Sequence, residues 1–142
     1  MTGQRVRPRF DHVGISVPDL EAAVDWYVSV FGLTAAPEFA VPGTDLRGRM
    51  LLDPVSGFRI ELLHRPSARP GPGFGSALEA AGVHGYGHIC LCVAEVDAEF
   101  ARLRAAGAGE RMAPGPSPRP GYRMAFVADP YGNLIELVER DD

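Results

Sequence analysis

One internal duplication constrains this chain more than any other feature. Asp129-Pro130-Tyr131-Gly132-Asn133-Leu134-Ile135-Glu136-Leu137 reads as a tight turn feeding a short strand. Asp53-Pro54-Val55-Ser56-Gly57-Phe58-Arg59-Ile60-Glu61-Leu62 says nearly the same thing earlier, with one extra turn residue. Asp-Pro opens each turn, and the glycine supplies backbone freedom. From that glycine on, Gly57, Ile60, Glu61 and Leu62 recur as Gly132, Ile135, Glu136 and Leu137, an offset of 75 (132 less 57). Upstream, Asp11-His12-Val13-Gly14-Ile15-Ser16-Val17 recurs as Gly87-His88-Ile89-Cys90-Leu91-Cys92-Val93, an offset of 76 (88 less 12). Such self-similarity means two copies of one supersecondary unit. Each copy holds one His near its start and one Glu near its end, 49 residues apart (61 less 12) and 48 apart (136 less 88). Matched pairs in a duplicated unit point to one shared site at a pseudo-two-fold axis.

Periodicity fills in each copy. Phe10 to Val17 alternates like a strand, with Val13, Ile15 and Val17 on one face and His12, Gly14 and Ser16 on the other. Asp19 caps a helix whose apolar stripe is Leu20, Ala23, Val24, Tyr27, Val28 and Phe31, and Gly32 ends it. Leu33 to Val41 is a weaker strand containing Pro37, hence an edge. Leu46 to Leu52 and Phe58 to His64 are strands. Pro66 to Gly75 carries Pro or Gly at six of ten positions and reads as a linker, followed by a helical turn from Ser76 through Ala81. The second copy repeats the order: strand Tyr86 to Val93, helix Glu95 to Ala106, short strand Glu110 to Ala113, and strands Tyr122 to Ala128 and Asn133 to Glu139. Between the first two of these three strands, Met112 to Gly121 reads as a stiff, exposed loop bordering a site. The expected fold class is α+β: two tandem βαβββ modules forming a cupped mixed sheet with helices on the outside. Module one spans about 9–65, the linker 66–84 and module two about 85–140, all within a single domain of 142 residues. On strand parity, His12, Glu61, His88 and Glu136 share the face turned away from the helices.

Composition removes several alternatives. Every one of the 14 basic residues is Arg, which excludes a Schiff-base lysine and a P-loop. A net charge of −4 gives no reason to expect nucleic acid or an anionic membrane as partner. No run of apolar residues is long enough for a membrane span. The basic start Met1 to Arg9 leads into a strand rather than a signal core, so the expected location is cytoplasmic. Cys90 and Cys92, two apart on one strand, are expected to stay unpaired.

These motifs resemble the vicinal oxygen chelate superfamily, which includes glyoxalase I, methylmalonyl-CoA epimerase, extradiol dioxygenases and bleomycin-binding proteins. The resemblance runs from about Phe10 to Glu139. Its clearest pieces are Asp11-His12-Val13-Gly14-Ile15, Gly87-His88-Ile89 and Asp129-Pro130-Tyr131-Gly132-Asn133-Leu134-Ile135-Glu136. It implies paired modules around one divalent metal ion, with His12, Glu61, His88 and Glu136 at the ligand positions. The set is similar to that of bacterial glyoxalase I; the epimerases typically carry Gln where this chain has Glu61. Two imidazoles and two carboxylates suit Ni, Co, Zn, Mn or Fe as divalent ions. Two neighbouring open positions then accept a substrate with two adjacent oxygens, and the metal serves as Lewis acid while a proton beside the carbonyl leaves.

The expected function is therefore a divalent-metal-dependent isomerase or lyase, glyoxalase-like or epimerase-like. Glu136, with Glu61 as its equivalent, is the catalytic base, a small molecule is the substrate and a homodimer is the expected assembly. The alternatives are an Fe(II) extradiol-type dioxygenase, a small-molecule (antibiotic) binding or resistance protein, and metal-assisted thiol transfer to an epoxide antibiotic. Other residues carry blander readings. Cys90 and Cys92 share the His88 face but are most simply small packing residues. His64 and His84 are not ligands by parity and position. Arg47, Arg49 and Arg123 are either anion-binding or solvated, and Trp26 and Tyr27 are packing.

Overall fold

The computed structural model describes residues 3 and 5–140; of the basic N-terminal segment, Met1, Thr2 and Gln4 lie outside the described residues. The chain divides into two compact units, Met1–Arg69 and Pro70–Asp142.

In the first unit, β1 (Val13–Ser16) leads to α1 (Leu20–Phe31), then β2 (Thr34–Ala35), β3 (Phe39–Ala40), β4 (Arg47–Leu52) and β5 (Arg59–His64). The sheet order is β1-β5-β4-β2, with β3 also on β4. β1 lies parallel to β5, and the other pairs are antiparallel. The first strand starts at Val13 rather than Phe10, so His12 sits just before it and Phe10 is exposed. Pro37 explains why the weak second strand is two fragments, since it donates no ladder bond. Asp19 caps α1 by accepting from the Ala22 amide, and Gly32 closes it at φ 67°. Leu20, Ala23, Val24 and Tyr27 are buried as the stripe predicts; Val30 joins them, while Val28 and Phe31 are only half-buried. The helix packs on β4 and β5, over Leu51, Ile60 and Leu62.

In the second unit, α2 (Ala77–Ala81) precedes β6 (His88–Cys92), α3 (Val96–Ala105), β7 (Gly109–Pro116), β8 (Arg123–Ala128) and β9 (Leu134–Glu139). The sheet order is β6-β9-β8-β7, with β6 parallel to β9. Ser76 caps α2 by accepting from the Glu79 amide, whereas Glu79 reaches back to Gly75 rather than to Ser76. The cap of α3 is not local: Glu95 makes no side-chain cap bond, and the Val96 amide donates to Glu139 Oε1 at 2.9 Å. The expected loop from Met112 to Gly121 is a correction. β7 runs on through Pro114 and Pro116, leaving only Ser117 to Tyr122 as the turn. An edge strand tolerates proline, and register shifts between Glu110 and Gly115 absorb the irregularity.

Both units are thus βαβββ arrangements with mixed sheets, and the fold class is α+β. The turn before β9 shows why its motif is so legible. Asp129, 3% exposed, accepts from the amides of Tyr131 and Asn133 and from Asn133 Nδ2, while Gly132 takes φ 90°.

Candidate functional site

Strand register brings each His to its Glu. In the parallel pair β1/β5, Glu61 lies opposite Gly14, two residues after His12. In β6/β9, Glu136 lies opposite Cys90, two residues after His88. The duplicated spacing therefore becomes a duplicated contact. His12 Nε2 is 3.5 Å from Glu61 Oε1, and His88 Nε2 is 3.1 Å from Glu136 Oε1.

Those separations bear on metal binding. Bonds of about 2.1 Å to imidazole nitrogen or carboxylate oxygen place adjacent donors about 3.0 Å apart in an octahedron and about 3.4 Å apart in a tetrahedron. Each pair is spaced like two neighbouring ligands, and the donor types suit a borderline divalent ion. Each pair supplies two donors only: no group of three or more His, Cys, Asp or Glu fit to hold a metal occurs among the described residues. Each unit thus offers two donors whose type and spacing suit a divalent ion.

The two pairs differ in their surroundings. His12 Nδ1 lies 2.7 Å from Asp11 Oδ2, and the Asp11 carboxylate is itself 3.8 Å from Arg59. The hydrogen bond that His12 donates to Asp11, supported by the charge of Glu61, raises the His12 pKa. The same bond holds the Asp11 carboxyl below its usual range. A carboxylate on the far nitrogen fixes the ring and aims Nε2 outward, the usual support for a metal-binding imidazole. His88 has Gly87 in place of that aspartate and packs edge-on against Phe126 at 5.1 Å.

Glu136 is the enclosed one, its side chain 9% exposed against 24% for Glu61. Its second oxygen, Oε2, is 3.7 Å from Arg119, whose guanidinium lies over the Tyr122 ring at 5.1 Å. The Cys90 residue is exposed, but its thiol loses water against Glu136; desolvation, then the charge of Glu136, pushes it up to about 12. It is a neutral thiol beside the carboxylate, not a thiolate.

The remaining candidates are occupied elsewhere. Arg47 pairs with Glu21 and Glu38, Arg49 donates to the Ala36 carbonyl, and Arg123 holds Asp97 with two bonds. His64 Nδ1 is 3.0 Å from the Val17 carbonyl, a structural contact. Sequence reasoning assigned no role to Asp11 or Arg119. The signal for Asp11 was its place beside His12; Arg119 lay inside the segment expected to border the site.

The family model for the Glyoxalase/Bleomycin resistance protein/Dioxygenase superfamily matches residues 9–137. The chain belongs to this superfamily. Among its relatives, a lactoylglutathione lyase of Arabidopsis thaliana is 30% identical over 134 residues, covering 93% of this chain and 44% of the relative. The superfamily chain described here thus spans less than half the length of that enzyme. An ethylmalonyl-CoA/methylmalonyl-CoA epimerase of Cereibacter sphaeroides is 36% identical over 102 residues, covering 70% of this chain and 72% of the relative. The fold is shared with a glyoxalase family protein from Enterococcus faecalis (TM-score 0.77, 21% identity, 92% of this chain and 97% of that one). Glyoxalase I from Zea mays also shares it (TM-score 0.70, 24% identity, 94% and 45%).

Proposed function

We propose that this protein is a divalent-metal-dependent isomerase or lyase that removes a proton next to a carbonyl of a small substrate. The observation that carries the reading is the repeated His–Glu contact, with ligand-like spacing in both modules. In this reading His12 and Glu61 from one module and His88 and Glu136 from another hold one ion of the Ni, Co, Zn, Mn or Fe class. The two modules come from one chain or from the two chains of a homodimer. Kinship to both a lyase and an epimerase supports the reaction class, because both names describe chemistry at a carbon beside a carbonyl. Free Cys90 and Cys92 accord with a reducing compartment such as the cytoplasm.

A bound divalent ion supplies Lewis-acid stabilisation of charge developing on the substrate carbonyl oxygen. The chain supplies the rest. Glu136 is the principal base, its carboxylate shielded from solvent and set beside His88 and Cys90. Glu61, more open and facing His12, is placed to return or take a proton at a second position. Asp11 keeps His12 oriented.

The test pairs elemental analysis with proton exchange. Protein reloaded with each of the five ions should hold about one ion per pair of modules and release it in acid, where protonated His12 and His88 no longer ligate. The loaded protein should exchange solvent deuterium into a substrate found among α-hydroxy carbonyl hemithioacetals and acyl-CoA thioesters. Uptake of none of these ions would overturn the reading.

A further inference from the structure

Glu136 has two oxygens, and they are committed differently. Oε1 faces His88 Nε2 at 3.1 Å, in the spacing of a shared metal ion. Oε2 faces the Arg119 guanidinium at 3.7 Å. A carboxylate this enclosed needs a counter-charge, and the guanidinium provides one. Arg119 is not a drifting surface residue. Its amide donates to Ser117 Oγ at 3.1 Å, its carbonyl accepts from the Tyr122 amide at 3.3 Å, and Ser117 donates to the Tyr122 carbonyl at 2.9 Å. Gly121, at φ 82°, completes this turn, and the Tyr122 ring supports the guanidinium from below. The side chain still keeps 60% of its area in solvent, so it has room to turn away. Module one has no counterpart: among the described residues no arginine pairs with Glu61.

We propose that Arg119 is a tethered counter-ion that competes with the metal for Glu136. The inference rests on Glu136 being a ligand, as in the function proposed above. While the half-site is empty, the guanidinium is the counter-charge of the enclosed carboxylate and holds it in place. An arriving divalent cation shares that carboxylate with a second positive group a few ångströms away, and the two repel. Loading therefore displaces Arg119 from Oε2 towards solvent and weakens the ion's net affinity. The device exists at one Glu of the pair only, so it sets affinity without altering the donor set.

The experiment is calorimetric titration of Zn²⁺ alone into wild-type protein, Arg119→Gln and Arg119→Lys, at low and raised salt. Arg119→Gln should bind Zn²⁺ about 1.5- to fivefold more tightly than wild type, the range expected for loss of one partly exposed like charge. Arg119→Lys keeps the charge and should stay near wild type. The gap between wild type and Arg119→Gln should narrow at raised salt, because screening weakens the repulsion. A merely structural role for Arg119 predicts the opposite sign, looser binding in both variants. In wild type, the Arg119 Nε–H resonance should shift as Zn²⁺ is added, an observable independent of any variant's folding. Unchanged or weaker binding by Arg119→Gln, beside a wild type that binds, overturns this inference and leaves the proposed function intact. Absence of Zn²⁺ binding with and without Arg119 overturns both.

Discussion

Glu61 and Glu136 hold equivalent strand positions, opposite Gly14 and Cys90 respectively, yet they live in different surroundings. Module one activates its histidine: Asp11 sits on the far nitrogen of His12, and Glu61 stays open. Module two leaves its histidine without that aspartate and encloses its glutamate among Cys90, Arg119 and His88. The difference teaches how duplication is used. Register fixes where the donors meet and is kept in both copies. The residues one step away, Asp11 against Gly87 and Gly14 against Cys90, differ between the copies and give each pair its own surroundings.

The sharpest way to break this comparison is to neutralise each glutamate in turn. Gln keeps the shape and one donor oxygen but takes no proton. Glu136→Gln should keep most of its metal and lower deuterium exchange by about 10²- to 10⁴-fold, the usual worth of a positioned base. Glu61→Gln should lower exchange less. Equal losses from the two substitutions would erase the functional asymmetry.

The histidines give the next largest effect. Asp11→Asn should weaken metal binding by about 10- to 100-fold, as loss of a supporting carboxylate generally does. The converse change is sterically open, because a Cβ on Gly87 meets only Ala80 Cβ, at 3.6 Å. Gly87→Asp should therefore tighten binding. Titration of both variants against wild type checks the pair; an Asp11→Asn protein with undiminished affinity would leave that aspartate only a surface role.

The smallest effect separates the site from the frame. Asp97 is held below its usual pKa by its two bonds to Arg123. A depressed carboxyl contributes stability above its unfolded value and loses it as pH falls through the lower, folded value. Asp97→Asn should thus lower the unfolding temperature slightly at neutral pH and make no difference in strong acid. Thermal melts at both extremes measure it. The pair is solvent-exposed, so the shift should be small, and metal affinity should not move.

Much of this was legible in the amino-acid sequence because it was written twice. The caps at Asp19 and Ser76, the weak edge strand around Pro37 and the shared face of each His and Glu all follow from local chemistry or from parity repeated in both copies. What escaped was non-repeated. β7 extends through prolines because it is an edge, and edge status is a property of the sheet order rather than of the segment. Arg119 reaches Glu136 across 17 residues (136 less 119) through the turn that follows β7. A pattern search sees neither the turn nor the reach.

The two helices also keep time differently. α1 carries its start signal next door: Asp19 caps the Ala22 amide three residues on, so its first turn is complete as soon as that short stretch exists. α3 borrows its start signal from Glu139, 43 residues downstream at the end of β9. Its capping bond needs the last strand in place and closes a long loop, a contact that carries a larger entropy cost than a local cap. The helix of module one is capped from within its own stretch of chain, whereas the cap of α3 exists only where β9 lies beside β6. The strand that carries Glu136 is the same strand that completes α3, so a displacement of β9 would disturb the His88–Glu136 contact and the helix start alike.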